Sequence, residues 1–219
     1  MAIAVDAVSS ASGSGTGPFT WSHTCTGSDR LLLVFITIYH ISSTVSGVTY
    51  NGVAATAVPS GSATNGNYAV YSYYLIAPAT SSNTVSVSVS GGVYDVGVAA
   101  ISLTGVHQSS PLGTAVTATG SSTTPSVNVS SAADEIVVDG LVIVHNGTLS
   151  VGAGQTSRWN AATGNAFIKQ AGSTEGGTGT TTMSWTNSTS QDWATVGIPV
   201  KPVAAASTLH QLCLTGVGT

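Results

Sequence analysis

Two hydrophobic patterns recur along the chain. Phe19, Trp21, His23 and Cys25 alternate with Thr20, Ser22 and Thr24, and Val85, Val87 and Val89 alternate with Ser86, Ser88 and Ser90. That period of two marks strands with one buried and one wet face. Leu31 to Tyr39 is instead apolar on both parities and rich in β-branched and aromatic residues, which predicts a central strand covered on both faces. Asn51-Gly52 supplies two residues that tolerate positive φ, so Val48 to Val58 is expected to be a hairpin. Further strands are expected near 2–8, 68–77, 95–104, 114–119, 124–130, 135–145, 153–159, 164–171, 179–186 and 192–201. Short strands at this spacing with Gly-rich turns indicate an all-β sandwich or barrel.

The two halves of the chain also resemble each other. Asp29-Arg30-Leu31-Leu32-Leu33-Val34 corresponds to Asp134-Glu135-Ile136-Val137-Val138-Asp139, an offset of 105, and Asp95 corresponds to Asp192, an offset of 97. Between these points the order of features is the same, which predicts a duplicated unit of about 100 residues. Two small sandwiches or one shared jelly-roll-like antiparallel β-sandwich would satisfy it. The connection Gly105 to Gly113 is short and holds no long flexible linker, which favours a single sandwich domain over 1–203 with pseudo-repeat halves 1–108 and 109–203. Residues 204–219 fall outside the repeat. Leu209, Leu212 and Leu214 make this tail a candidate docking arm.

Charge is scarce. Only 5% of the 219 residues are charged, four Lys and Arg against eight Asp and Glu, for a net charge of −4. No stretch is basic enough to neutralise a run of phosphates, so nucleic acid is not an expected partner. The longest strongly apolar run, Leu31 to Tyr39, is about half of what a membrane span needs, and no membrane association is expected. Met1 to Ser10 lack the basic and apolar regions of a secretory signal. The chain nevertheless carries 32 Ser, 31 Thr and 26 Gly, a composition typical of proteins that work outside cells. A virus particle reconciles the two, because its proteins are assembled in the host cytoplasm and then exposed to the external medium.

Candidate chemistry is thin. There is no GxSxG, CxxC or HExxH pattern, so neither a nucleophile elbow nor a zinc site is expected. No catalytic, cofactor-binding or metal-binding residue is assigned, and the chain is expected not to be an enzyme. Cys25 and Cys213 are expected to be idle thiols rather than a pair. Asp29, Asp95, Asp134 and Asp192 precede apolar strands and are expected to bond nearby backbone N–H groups. Asp134, Glu135 and Asp139 form the one local acidic cluster, for which a solvated strand end is a better reading than a calcium site. His40 and His145 occupy matching ends of the repeat, where a structural role is expected. Tyr68, Tyr71, Tyr73 and Tyr74 crowd one strand, with Tyr71 and Tyr73 on one face and Tyr68 and Tyr74 on the other. Core packing or a subunit contact accounts for them at least as well as a sugar platform does, and Trp159, Trp185 and Trp193 are expected in the core.

The segments RLLLVFITI, VTYNGVAAT, YYLIAPATSSNTVSVSVSG and AAISLTGVHQSSPLG, followed by Val151 to Trp159 and by TMSWT and DWATVGIPVKP, resemble a widespread class of phage and metagenomic β-sandwich proteins. The resemblance spans about residues 2 to 203. It implies a jelly-roll-like fold and a virion or surface accessory role, and it supplies no catalytic residues. The expected function is that of a non-enzymatic structural protein exposed on a phage virion, as capsid decoration or a tail or fibre component. Its expected partners are other virion proteins and copies of itself. The alternative is a bacterial surface adhesion or carbohydrate-binding module that takes a cell-surface glycan.

Overall fold

Among residues 2–39 and 43–204, which the computed structural model describes, every regular element is a strand. The first half holds β1 (Ala4–Gly15), β2 (Phe19–Cys25), β3 (Leu31–Tyr39), β4 (Thr44–Tyr50), β5 (Val53–Ala54), β6 (Thr56–Asn65), β7 (Tyr68–Ile76), β8 (Ser81–Ser90) and β9 (Val93–Thr104). The second holds β10 (Val116–Ser122), β11 (Ser126–Ser131), β12 (Ile136–Val144), β13 (Leu149–Val151), β14 (Thr156–Ala162), β15 (Ile168–Gly176), β16 (Gly179–Asn187) and β17 (Gln191–Val200). The hairpin expected at Asn51-Gly52 is present. Both residues have positive φ, 51° and 75°, and Tyr50 pairs directly with Val53 across the turn. The strand β6, absent from the sequence-based assignment, contains Pro59 and a positive-φ Ser60, and a register shift breaks it between Ala57 and Ser62.

Each half folds its strands in the same order. In the first, the sheet β1-β9-β3-β7-β6 faces the sheet β2-β8-β4-β5; in the second, β10-β17-β12-β15-β14 faces β11-β16-β13. With β5 and β6 taken as one strand that changes sheets, both halves have the strand order of an antiparallel jelly roll. The register repeats as well. Leu33 opposes Ile101 and Tyr74, and Val138, 105 positions on, opposes Ile198 and Thr174. The duplication seen in the sequence is therefore a duplication of strand pairing.

The sheets form four layers, and β3, β9, β12 and β17 lie in the two inner ones. Leu32, Val34, Ile36 and Ile38 point outward against Val48, Val85 and Val87 of their own half. Leu31, Leu33 and Phe35 point the other way and meet Val138, Val142, Val196 and Ile198 of the second half. The second half keeps its own outer core through Leu141, Ile143, Trp185 and Trp193, with Val127, Val129, Val137 and Met183 beside it. Each inner strand is thus covered on both faces, which is why Leu31 to Tyr39 is apolar on both parities. Across the middle core the Phe35 ring lies against Gly140, where a Cβ would stand 2.3 Å from Phe35 Cδ1. Gln170 crosses the same seam and donates to the carbonyl of Ala11 at 2.8 Å. The connection between the halves is tied down rather than loose, with Val106 bridged to Pro202 and Leu112 to Val200.

Candidate functional site

At one end of the middle seam, four aromatic residues from four separate segments come together. Tyr39 closes β3 and pairs directly with Tyr68, the first residue of β7. Their rings stack at 5.2 Å with an interplanar angle of 15°. Asp95 opposes Tyr39 on the other side, so its neighbour Tyr94 is brought to 5.8 Å from the Tyr39 ring. Phe167 arrives from the second half, in the turn before β15, and its ring lies 5.3 Å from Tyr39. Tyr39 is the hub, half-buried like Tyr68. Tyr94 and Phe167 are 57% and 51% exposed, and among the described residues the only other exposed large hydrophobic side chain is Val53.

The position of Phe167 is set by a buried carboxylate. Asp95, fully buried in β9, accepts hydrogen bonds from the Phe167 N–H at 2.9 Å, from the Asn165 N–H at 3.3 Å and from the Thr163 hydroxyl. Asn165 returns the contact by donating from Nδ2 to the Tyr94 carbonyl at 2.6 Å. This corrects the expectation that Asp95 bonds its own neighbourhood, since its partners lie in the other half. Replacing Asp95 with Ala strands those donors and should cost about 2–3 kcal/mol. Thermal unfolding of the variant checks the loss, and an unchanged melting temperature would contradict it.

The chain matches no family model, no curated protein and no solved structure. Ser9 Oγ lies 2.8 Å from His23 Nδ1 and accepts from Trp21 Nε1 at 2.9 Å. His23 is buried, its Nε2 has no hydrogen-bond partner, and burial pushes its pKa down to about 4, against the opposing pull of Asp6. The ring is neutral at pH 7. Asp6 does not bond to it and instead accepts from the N–H and hydroxyl of Thr26 and from Ser102 Oγ. Ser9, His23 and Asp6 thus do not form the relay in which an acid orients the imidazole.

Cys25 is a buried free thiol whose pKa is raised by burial. The hydroxyl oxygen of its neighbour Tyr50 lies 3.1–3.2 Å from the backbone carbonyl oxygens of His23, Ala79 and Ser81, any one of which can accept its proton. Cys213, His40, His210 and the tail beyond Ala204 lie outside the described residues. The acidic cluster separates: Glu135 accepts from the Ala132 N–H at 2.9 Å at the surface, while Asp139 is fully buried. Asp139 accepts from Ser173 N at 2.5 Å, from Ser173 Oγ at 2.7 Å and from Trp185 Nε1 at 2.6 Å. Among the described residues no group of three His, Cys, Asp or Glu is placed to hold a metal ion. His107 caps the connection by accepting from the N–H groups of Ser109 and Ser110.

Of the tyrosines on β7, Tyr71 and Tyr73 pack against the first half's own core, and only Tyr68 joins the exposed cluster. Trp159 is buried in the middle core at 5.3 Å from Phe35. Two grooves open elsewhere, one of about 410 Å³ beside Tyr74, Ile76, Leu112 and Lys201, the other of about 480 Å³ beside Ile3, Glu135, Ile136 and Val203. The first is also lined by Ser109 and Ser110, and the second by Asp134.

Proposed function

We propose that the protein is a non-enzymatic structural component exposed on a phage particle, packed against copies of itself or against other virion proteins. The observation that carries this reading is the chemistry of the sheet edges. Eight strands end a sheet, namely β1 and β6, β2 and β5, β10 and β14, and β11 and β13, and Asp6 and Arg158 are their only charged residues. Natural sheets that stay apart place Lys or other charges on such edges. Here the edges offer Ser and Thr, whose hydroxyls are far less costly to desolvate than an ion when they find a partner. A surface of this kind packs laterally with little electrostatic penalty. The paired jelly rolls supply a rigid block for such packing, since the middle core locks the halves together.

Sedimentation of the purified chain tests this. The full-length protein is expected to self-associate as concentration rises, or to co-sediment with virion proteins. A chain cut after Val203 should keep the spectrum and melting of the folded sandwich while associating more weakly. A full-length protein that stays monomeric and binds no virion protein would overturn the reading, and a cut chain that assembles normally would remove the tail from it.

A further inference from the structure

We infer that the aromatic cluster of Tyr39, Tyr68, Tyr94 and Phe167 is a binding platform for a neutral pyranose sugar. This site is independent of how the protein assembles. The rings are ordered by backbone pairing rather than by a ligand: Tyr39 and Tyr68 are register partners, and Asp95 fixes the Phe167 turn. A pre-formed, rigid surface does not have to be ordered at the moment of binding.

The two exposed rings are of the size that a sugar covers. Fully burying a Phe or Tyr covers roughly 150–250 Å², and Tyr94 and Phe167 each leave about half exposed, so the two offer on the order of 200 Å² of ring surface. A stable protein contact takes about 800 Å² per partner. One or two sugar rings need only a fraction of that.

The electrostatics select the same ligand. The negative π-faces of the rings attract the polarised C–H bonds on one side of a pyranose. Among the described residues the rim carries polar side chains. Asn165 and Asp192 are exposed there, and Asp192 is near enough for its charge to bear on the Tyr68 hydroxyl. Lys169, the nearest cation in sequence to Phe167, is engaged with the Gly147 carbonyl at 2.5 Å. Such a rim accepts hydrogen bonds from sugar hydroxyls and disfavours acidic sugars.

The test is saturation-transfer NMR on the full chain with methyl β-galactoside, methyl β-glucoside and lactose, followed by titration of whichever responds. Binding in the millimolar range is expected, with saturation concentrated on the C–H protons of one ring face. Tyr94→Ala and Phe167→Ala, both at exposed positions, should each weaken it at least tenfold with unchanged melting, while Val53→Ala should leave it intact. No response to any of the three sugars, binding undiminished from that of the natural chain in both ring variants, or preference for a sialylated sugar would each overturn the proposal. So would loss of self-association in the ring variants without any sugar binding, which would make the patch a contact between copies.

Discussion

Separately expressed chains covering 1–108 and 109–219 are expected to fail to fold cooperatively. Each contains a complete jelly-roll strand order, yet each would expose the inner face of its inner sheet. In the first fragment that face carries Leu31, Leu33, Phe35, Ile101 and Leu103, all essentially buried in the intact chain. At about 1.5–3 kcal/mol for each large apolar side chain returned to water, the loss is roughly 7–15 kcal/mol. That equals the whole stability of a typical domain. Circular dichroism and thermal melts of the two fragments, alone and mixed, check this. Featureless melts alone and recovery of a sigmoidal transition on mixing are expected, and two independent sigmoidal melts would contradict it.

The second large effect concerns pH, where two buried groups oppose each other. Burial raises the Asp139 pKa to about 6 from an ordinary 3.8, against the hydrogen bonds from Trp185 and Ser173. The native state therefore holds its proton more tightly than the unfolded chain. That contribution to stability is present below about pH 4 and is lost as pH rises through 6. Burial lowers the His23 pKa from 6.5 to about 4. Its contribution is present above pH 6.5 and is lost as pH falls towards 4. Each shift corresponds to about 3 kcal/mol, so the two nearly cancel between pH 4 and 7 in the natural chain.

Single substitutions should uncover them. Asp139→Asn leaves the His23 limb, and stability should rise by about 3 kcal/mol from pH 4 to 6.5. His23→Gln leaves the Asp139 limb, and stability should fall by a similar amount over the same interval. Denaturant unfolding at several pH values reads both slopes. Parallel profiles for the natural chain and both variants would contradict the assignment. Below pH 4 all three should lose stability, because Asp6 also contributes. Burial pushes its pKa up, but the hydrogen bonds from Thr26 and Ser102 outweigh that and hold it below the usual range.

Much of this fold is legible along the chain because local pattern and tertiary environment agree. The alternation in β2 and β8 and the two-sided apolar run of β3 read directly as half-buried and fully buried strands. Asn51-Gly52 reads as its turn, and the offsets of 105 and 97 reappear in the strand registers. The middle core is harder to see. A strand apolar on both faces has the same sequence whether its second cover comes from its own half or from the other. Asp95 illustrates the same blindness for polar groups, since its partners Thr163, Asn165 and Phe167 are about 70 positions away. The aromatic cluster was hidden for that reason and one more. Tyr68 stands out in the crowded β7, but Tyr39, Tyr94 and Phe167 are isolated in the sequence. The expected strand over 164–171 also concealed that Phe167 sits in a turn.

The claim that the chain is a building block of a phage particle is tested most directly by mass spectrometry of purified particles from a lysate in which the gene is expressed. The account predicts peptides from both halves of the chain in the particle fraction, in fixed proportion to the major structural proteins and retained through a density gradient. Recovery of the chain only in the soluble fraction, with none in the particles, would contradict it.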